Sequence, residues 1–271
     1  MKTDKKQYKP RPAVPSTKPS RMNHTDAERE GTRLNKYIAD TGYCSRRKAD
    51  ELVFMGLVTV SGKHINEPGY RVKPGELVVV EGKKIRQPQK YYILLNKTKG
   101  AITTTSDERG RKTVMDLIRG ACEERLYPVG RLDRNTTGLL LMTNDGELAN
   151  RLMHPSGEVR KVYKARLDRT VPYEVIKRIR KGVMLEDGLA IVDEANNIEN
   201  ESGENVMLVL HSGKNRIVRR IFEALGYKVV ALDRVGYAGL TLHGLGKGEW
   251  RYLSKEEVKT LFKKVSKETK S

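Results

Sequence analysis

Residues 127–154, YPVGRLDRNTTGLLLMTNDGELANRLMH, decide how the rest of the chain is read. A short strand leads into a polar turn at residues 130–135. An apolar run follows at Leu139, Leu140, Leu141 and Met142. A second turn then opens a helix, with Asn144 or Asp145 as its N-cap. Asp133 lies on the first turn, with Arg131 and Arg134 on either side. Nearby positive charge favours the ionised form of a carboxylate, so Asp133 is available as a nucleophile or a general base. Aspartate is also a common turn former, and spacing alone favours that plainer role.

Composition narrows the partner. The 271 residues carry 53 Lys plus Arg against 34 Asp plus Glu, a formal net charge of +19. Such an excess points to a polyanion, nucleic acid first and an anionic membrane surface second. No apolar run has the length of a membrane span, and the N-terminus has no signal-peptide core, so a soluble cytoplasmic protein is expected. Cys44 and Cys122 are far apart and are expected to be reduced. His24, His64, His154, His211 and His243 form no zinc-spaced pair. The GKN at residues 213–215 lacks the remainder of a phosphate loop, and the GLGKG at 244–248 reads as a turn. No metal or nucleotide cofactor is expected.

Residues 1–31 mix lysine and arginine with proline and almost no aliphatics. They are expected to be a disordered basic tail, either an electrostatic arm or a solubilising leader. A small unit follows at 32–84. Leu34, Tyr37 and Ile38 share one face of a first helix, which Gly42 ends. Ser45 caps a second helix with Ala49, Leu52 and Val53 inward. Arg46, Arg47 and Lys48 crowd its first turn. Cations there oppose the helix dipole, but beside free backbone amides they suit a phosphate. Strands are expected at 58–60 and 76–81, and a linker at 85–90.

The larger unit spans 91–263, with a basic tail at 264–271. It opens with a strand from Tyr91 and a polar loop bearing Lys97, Lys99, Arg109, Arg111 and Lys112, read as lying over an RNA surface. A helical turn is expected at 114–118. Val159, Lys161, Tyr163, Ala165 and Leu167 alternate as one face of a strand. A helix at 172–181 and strands at 187–195 and 205–211 come next. Arg216, Ile217, Arg219, Arg220, Ile221 and Leu225 give a helix with an apolar and a basic face. Ser254 and Glu257 form a capping box for the last helix.

GRLDRNTTGLLLMTNDGELANRLMHP resembles the signature of the bacterial ribosomal RNA pseudouridine synthases of the RsuA family. The continuation GELANRLMHPS, followed by EV, is most similar to the large-subunit, RluB-type members. The resemblance implies that Asp133 is the catalytic aspartate. It places Tyr163, of the KxY pattern, against the target base, with a part in proton transfer. GKNRIVRR is similar to the family's GKNRQVRR, which makes Arg219 the partner of the aspartate; Ile217 stands where glutamine is usual. Leu232 then walls the base pocket, with Arg131 beside it. Residues 32–84 resemble the S-four-type, alpha-L RNA-binding domain. That likeness implies phosphate contacts from Arg33, Lys36, Ser45, Arg46, Arg47 and Lys48. Lys97, Lys99, Lys214, Asn215, Arg216 and Arg220 would extend the RNA surface over the larger domain.

The implied fold is α+β: a central, mainly antiparallel sheet flanked by helices, with the small domain on a flexible linker. The implied reaction isomerises one uridine to pseudouridine in 23S ribosomal RNA or an assembling large subunit, by a monomer without cofactor. It breaks a glycosidic bond and rejoins the uracil through carbon, with no redox step. Asp133 supplies the carboxylate, whether it attacks the sugar or takes a sugar proton in a glycal route. The target base must also be flipped out of its stack. A small-subunit or transfer-RNA target is an alternative, as is a non-catalytic assembly factor. The latter would have no need of Asp133, Tyr163 and Arg219 together. An RNA hydrolase or ligase would need metal ligands or a nucleotide loop.

Overall fold

The computed structural model describes residues 31–267 apart from 68, 87, 199, 200 and 202. Except for Gly31, the basic tail read at 1–31 lies outside the described residues, as do residues 268–271. The small domain runs β1 (Thr32–Arg33), α1 (Leu34–Asp40), α2 (Arg46–Phe54), β2 (Val58–Val60), β3 (Lys63–His64), β4 (Arg71–Val72), β5 (Val78–Val80) and β6 (Lys83–Ile85). Leu34, Ile38, Ala49, Leu52 and Val53 bury the helical faces against Val58, Val60, Val78 and Val80 of the sheet β3-β2-β5-β6. Each of the Leu, Ile and Val side chains contributes about 1.5–3 kcal/mol on burial. Gly42 (φ 80°) follows α1, and the Ser45 hydroxyl accepts from the Lys48 amide at 3.2 Å to start α2. Pieces of two residues such as β1, β3 and β4 carry too little pattern to be read from sequence. Ile85, placed in the linker, pairs with Val78 and belongs to the small core. The end of the linker is pinned: Asn144 donates to the Gln89 carbonyl (2.7 Å) and accepts from the Tyr91 amide (2.8 Å).

The larger domain continues with β7 (Tyr92–Lys97), α3 (Val114–Leu117), β8 (Tyr127–Pro128), β9 (Thr136–Thr143), α4 (Gly146–Met153), β10 (Lys161–Leu167), α5 (Tyr173–Lys181), β11 (Val183–Leu185) and β12 (Gly188–Ala190). It closes with β13 (Glu194–Asn197), β14 (Asn205–Leu210), α6 (Ile217–Ala224), β15 (Val229–Tyr237), β16 (Leu240–Thr241), β17 (Trp250–Tyr252) and α7 (Lys255–Lys267). The main sheet is ordered β13-β14-β10-β15-β9-β7-β17, with β8 also on β9 and β16 on β15. Its pairs are antiparallel except β15 with β9. The fold is thus mixed, with an antiparallel-rich sheet between helices. α7 runs past residue 263 to Lys267, and its Ser254–Glu257 capping box is formed.

The apolar run decides the centre of that sheet. Leu139 and Leu141 enter one cluster with α4 and α7, whereas Leu140 and Met142 enter another with α3 and Trp250. A strand covered on both faces needs a continuous apolar sequence, which is what the run provides. Asp145 is the N-cap of α4: Oδ1 accepts from the Glu147 (3.2 Å) and Leu148 (3.1 Å) amides. The single strand expected at 187–195 is a correction. Gly188–Ala190 pairs with β11 in a separate hairpin, while Glu194–Asn197 pairs with β14. The inward phase shifts at the change of partner, with Asp193 and Glu194 both exposed between buried Val192 and Ala195.

Gly138 is where β9 meets β15. At φ 103°, a Cβ there would overlap Asp233 Oδ1 and the Arg234 carbonyl oxygen. Gly138→Ala combines strained backbone with overpacking. It should cost about 3 kcal/mol or more in urea denaturation, with Gly120→Ala, at a glycine where nothing lies within reach, as the milder control.

Candidate active site

The turn bearing Asp133 is held from below by a lysine. Lys97, the last residue of β7, is fully buried. Its ammonium donates to the carbonyls of Thr136 (2.7 Å), Asp133 (3.1 Å), Thr98 (3.2 Å) and Arg134 (3.4 Å). The pairing of Lys97 with Gly138 in the β7–β9 ladder brings it there. Thr103 adds a second clasp, its hydroxyl donating to the Leu132 carbonyl (2.8 Å) and accepting from the Leu132 amide (3.2 Å). The expectation that Lys97 lies on the RNA surface is therefore overturned: carbonyl oxygens, not phosphates, surround it. Burial pushes its ammonium down from 10.5 to about 8, opposed by the nearby Asp133 charge.

Asp133 is half-buried above this support. Its Oδ2 lies 3.8 Å from Arg216 Nη1 and 3.9 Å from Arg219 Nε. Arg219 is 9% exposed and anchored by a bond from Nη1 to the Val229 carbonyl at 2.9 Å, while its buried Nε–H has no hydrogen-bond partner. Leaving such a donor unmade costs about 1–3 kcal/mol. Burial and the Arg216 charge both act against the protonated form of Arg219, and Asp133 acts for it. The helix read from the sequence is α6. Ile217, the departure from the usual glutamine, is buried in the cluster with Val218, Ile221 and Phe222, so its side chain serves packing.

Tyr163 sits on β10 opposite Arg234 of β15 and Leu208 of β14. It is half-buried and packs against two clusters, one containing Leu232 and the other Leu132, the residue before Asp133. Leu232 pairs with Thr136 across the parallel β15–β9 contact and with Ala165 of β10. The sheet order thus gathers residues 133, 163, 219 and 232 from four separate stretches of chain. Arg131 and Lys99 are exposed at the same loop cluster.

Other expected RNA contacts are already engaged. Arg220 holds the Asp187 carboxylate in a two-pronged ion pair, and Lys214 donates to the Asp187 carbonyl (3.0 Å). Both fasten the β11–β12 hairpin to α6. In the small domain Arg33, Arg46 and Arg47 are exposed, Lys48 pairs with Glu51 (2.9 Å) and Lys36 with Asp40 (3.3 Å). Arg234 escaped sequence reasoning: 3% exposed, it donates from Nε to the Leu139 carbonyl (2.8 Å) and ties β15 to β9. The LDR context offered no signal for it, since arginine in a strand usually faces solvent. Among the described residues no group of three or more His, Cys, Asp or Glu could hold a metal ion.

Lys97→Met should destabilise the fold by about 1–3 kcal/mol at pH 7, because several buried carbonyls lose their donor. The pH dependence has a definite sign. Between about 8 and 10.5 the unfolded lysine holds more proton than the folded one. The wild type should therefore gain stability relative to Lys97→Met as pH rises through that window, which paired denaturation curves would measure.

Known proteins resemble this chain in sequence and in fold. A family model described as RNA pseudouridylate synthase matches residues 91–224, and an S4 domain matches residues 32–78. The ribosomal large subunit pseudouridine synthase B of Bacillus subtilis (strain 168) is 42% identical over 232 residues, 84% of this chain and 95% of that protein. An RNA pseudouridine synthase of Aquifex aeolicus (strain VF5) is 41% identical over 237 residues, 86% of this chain and 94% of that one. A solved pseudouridylate synthase shares 26% identity at a TM-score of 0.60, covering 85% of this chain and 100% of the other. With a relative this similar over nearly its whole length, and with the matched segment ending at the last residue of α6, the chain belongs to the RNA pseudouridine synthase family: it is an RNA-modifying isomerase with an N-terminal S4 domain.

Proposed function

We propose that this isomerase acts as a monomer in the cytoplasm, on one uridine of 23S ribosomal RNA, and that Asp133 carries the reaction. The observation that bears most weight is the Asp133–Arg219 arrangement. A carboxylate on a braced turn faces a buried guanidinium whose Nε–H is unbonded and 3.9 Å away. A structural ion pair would normally close that bond. The gap suits a carboxylate that must remain free to reach a sugar and then be held in line. Tyr163 offers a flat face for the flipped uracil, and Leu232 an apolar wall. The large-subunit target rests on the Bacillus relative, whose name states that activity.

In this reading the small domain supplies grip. Arg46 and Arg47 stand exposed at the N-terminal end of α2, where backbone amides also point outward. Phosphate contacts there position the RNA and help offset a flipping cost of a few kcal/mol. Arg46→Ala with Arg47→Ala should weaken RNA binding and flatten the slope of log affinity against log salt by about two. An unchanged slope would remove these residues from the interface.

The decisive measurement incubates the protein and its Asp133→Asn variant with unmodified 23S RNA, then maps pseudouridine by carbodiimide modification and primer extension. One new site with the wild type and none with the variant is the expected result. A site formed equally by both would exclude Asp133 as the reacting group. Tight binding without product, even on a large-subunit precursor, would favour an assembly factor.

A further inference from the structure

Arg216 is the least settled charge in the site. Its backbone is left-handed, φ 49° and ψ 30°, at the N-cap of α6. Few non-glycine residues take that conformation; among the described residues Ser61, Glu81, Glu158 and Ala238 also have positive φ, but Arg216 is the one beside Asp133. The side chain is 46% exposed and stands between two carboxylates. Nη1 is 3.8 Å from Asp133 Oδ2, and Nη2 is 3.6 Å from Glu223 Oε1. Both distances exceed hydrogen-bond reach, so neither acid satisfies the guanidinium. Asp133 Oδ2 is also 3.9 Å from the buried, unbonded Nε of Arg219. One carboxylate oxygen is therefore shared by two guanidinium groups, one exposed and one enclosed, and is bonded to neither.

We propose that Arg216 is a catch on Asp133 that an RNA phosphate releases, a reading that rests on the assignment of Asp133 and Arg219 above. In the free protein Arg216 draws the Asp133 carboxylate partly away from Arg219. A phosphodiester of the RNA segment carrying the target uridine then takes the exposed guanidinium, whose planar fork matches phosphate oxygens. Asp133, no longer shared, closes onto the Arg219 Nε–H and is aimed. Arg216 is a positioning residue: it acts on the reaction through Asp133. The arrangement couples RNA engagement to alignment of the carboxylate, so that alignment is completed only when RNA is in place.

A double-mutant cycle in RNA affinity tests this without relying on turnover. The four proteins are the wild type, Asp133→Asn, Arg216→Gly and the double variant, each titrated with unmodified 23S RNA. Glycine accepts the left-handed backbone, so removing the side chain need not disturb α6. Asp133→Asn frees Arg216, and should bind RNA about three- to tenfold more tightly than the wild type; in the Arg216→Gly background the same exchange should change affinity less than about twofold. Arg216→Gly alone should flatten the salt slope by about one, and Arg216→Lys should restore it. A gain from Asp133→Asn that persists without Arg216 would be general charge repulsion and would overturn the catch. So would an unchanged salt slope. Pseudouridine formation by the wild type on the same RNA separates the two ideas. Product without coupling removes the catch alone, and no product either on this RNA or on a large-subunit precursor removes the functional reading and the catch with it.

Discussion

One buried ammonium carries the geometry of the site. Lys97 gathers four backbone carbonyls, three of them from the turn and strand start at residues 133–136. Those oxygens would otherwise repel one another or need water. Taking a lysine out of solvent is costly, and its lowered ammonium pKa records the cost. The carbonyl dipoles offset it, and in return the turn has a fixed shape. Asp133 is thereby presented on a turn braced from beneath.

Strand order supplies the other half of the constraint. β9 lies between β7, which brings Lys97, and β15, which brings Leu232. The β15–β9 contact is the parallel one in the sheet, and it sets the start of β9 beside Leu232 just after the Asp133 turn. α6 leads directly into β15, so Arg219 reaches back to the Val229 carbonyl while its Nε faces Asp133. Gly138 lets β9 and β15 approach at that point because a side chain would collide with the partner strand.

The positive charge of the chain divides by burial rather than by sequence. Lys97, Arg219 and Arg234 are enclosed and bond to carbonyls. Lys214 and Arg220 are taken up by Asp187 at a hairpin tip. Arg33, Arg46, Arg47, Lys99 and Arg131 remain exposed. A count of lysines and arginines signals the partner class but cannot sort these three uses, since each depends on what the fold sets beside the cation.

The sequence by itself determined the local pieces. The run at 139–142 was legible as apolar, the TND turn and its cap opened α4, and the SxxE box started α7, because each is settled within a few residues of chain. The GRLD and GKNRIVRR stretches marked Asp133 and Arg219, and the comparison with known proteins agrees with the family they signalled. Tertiary structure alone decided the rest. Lys97 belonged by composition to a basic loop, and only its pairing with Gly138 turned it inward. Residues 187–195 read as one strand, yet joined two different partners. In each case the deciding contact lies far away along the chain, where the period of the local pattern carries no information.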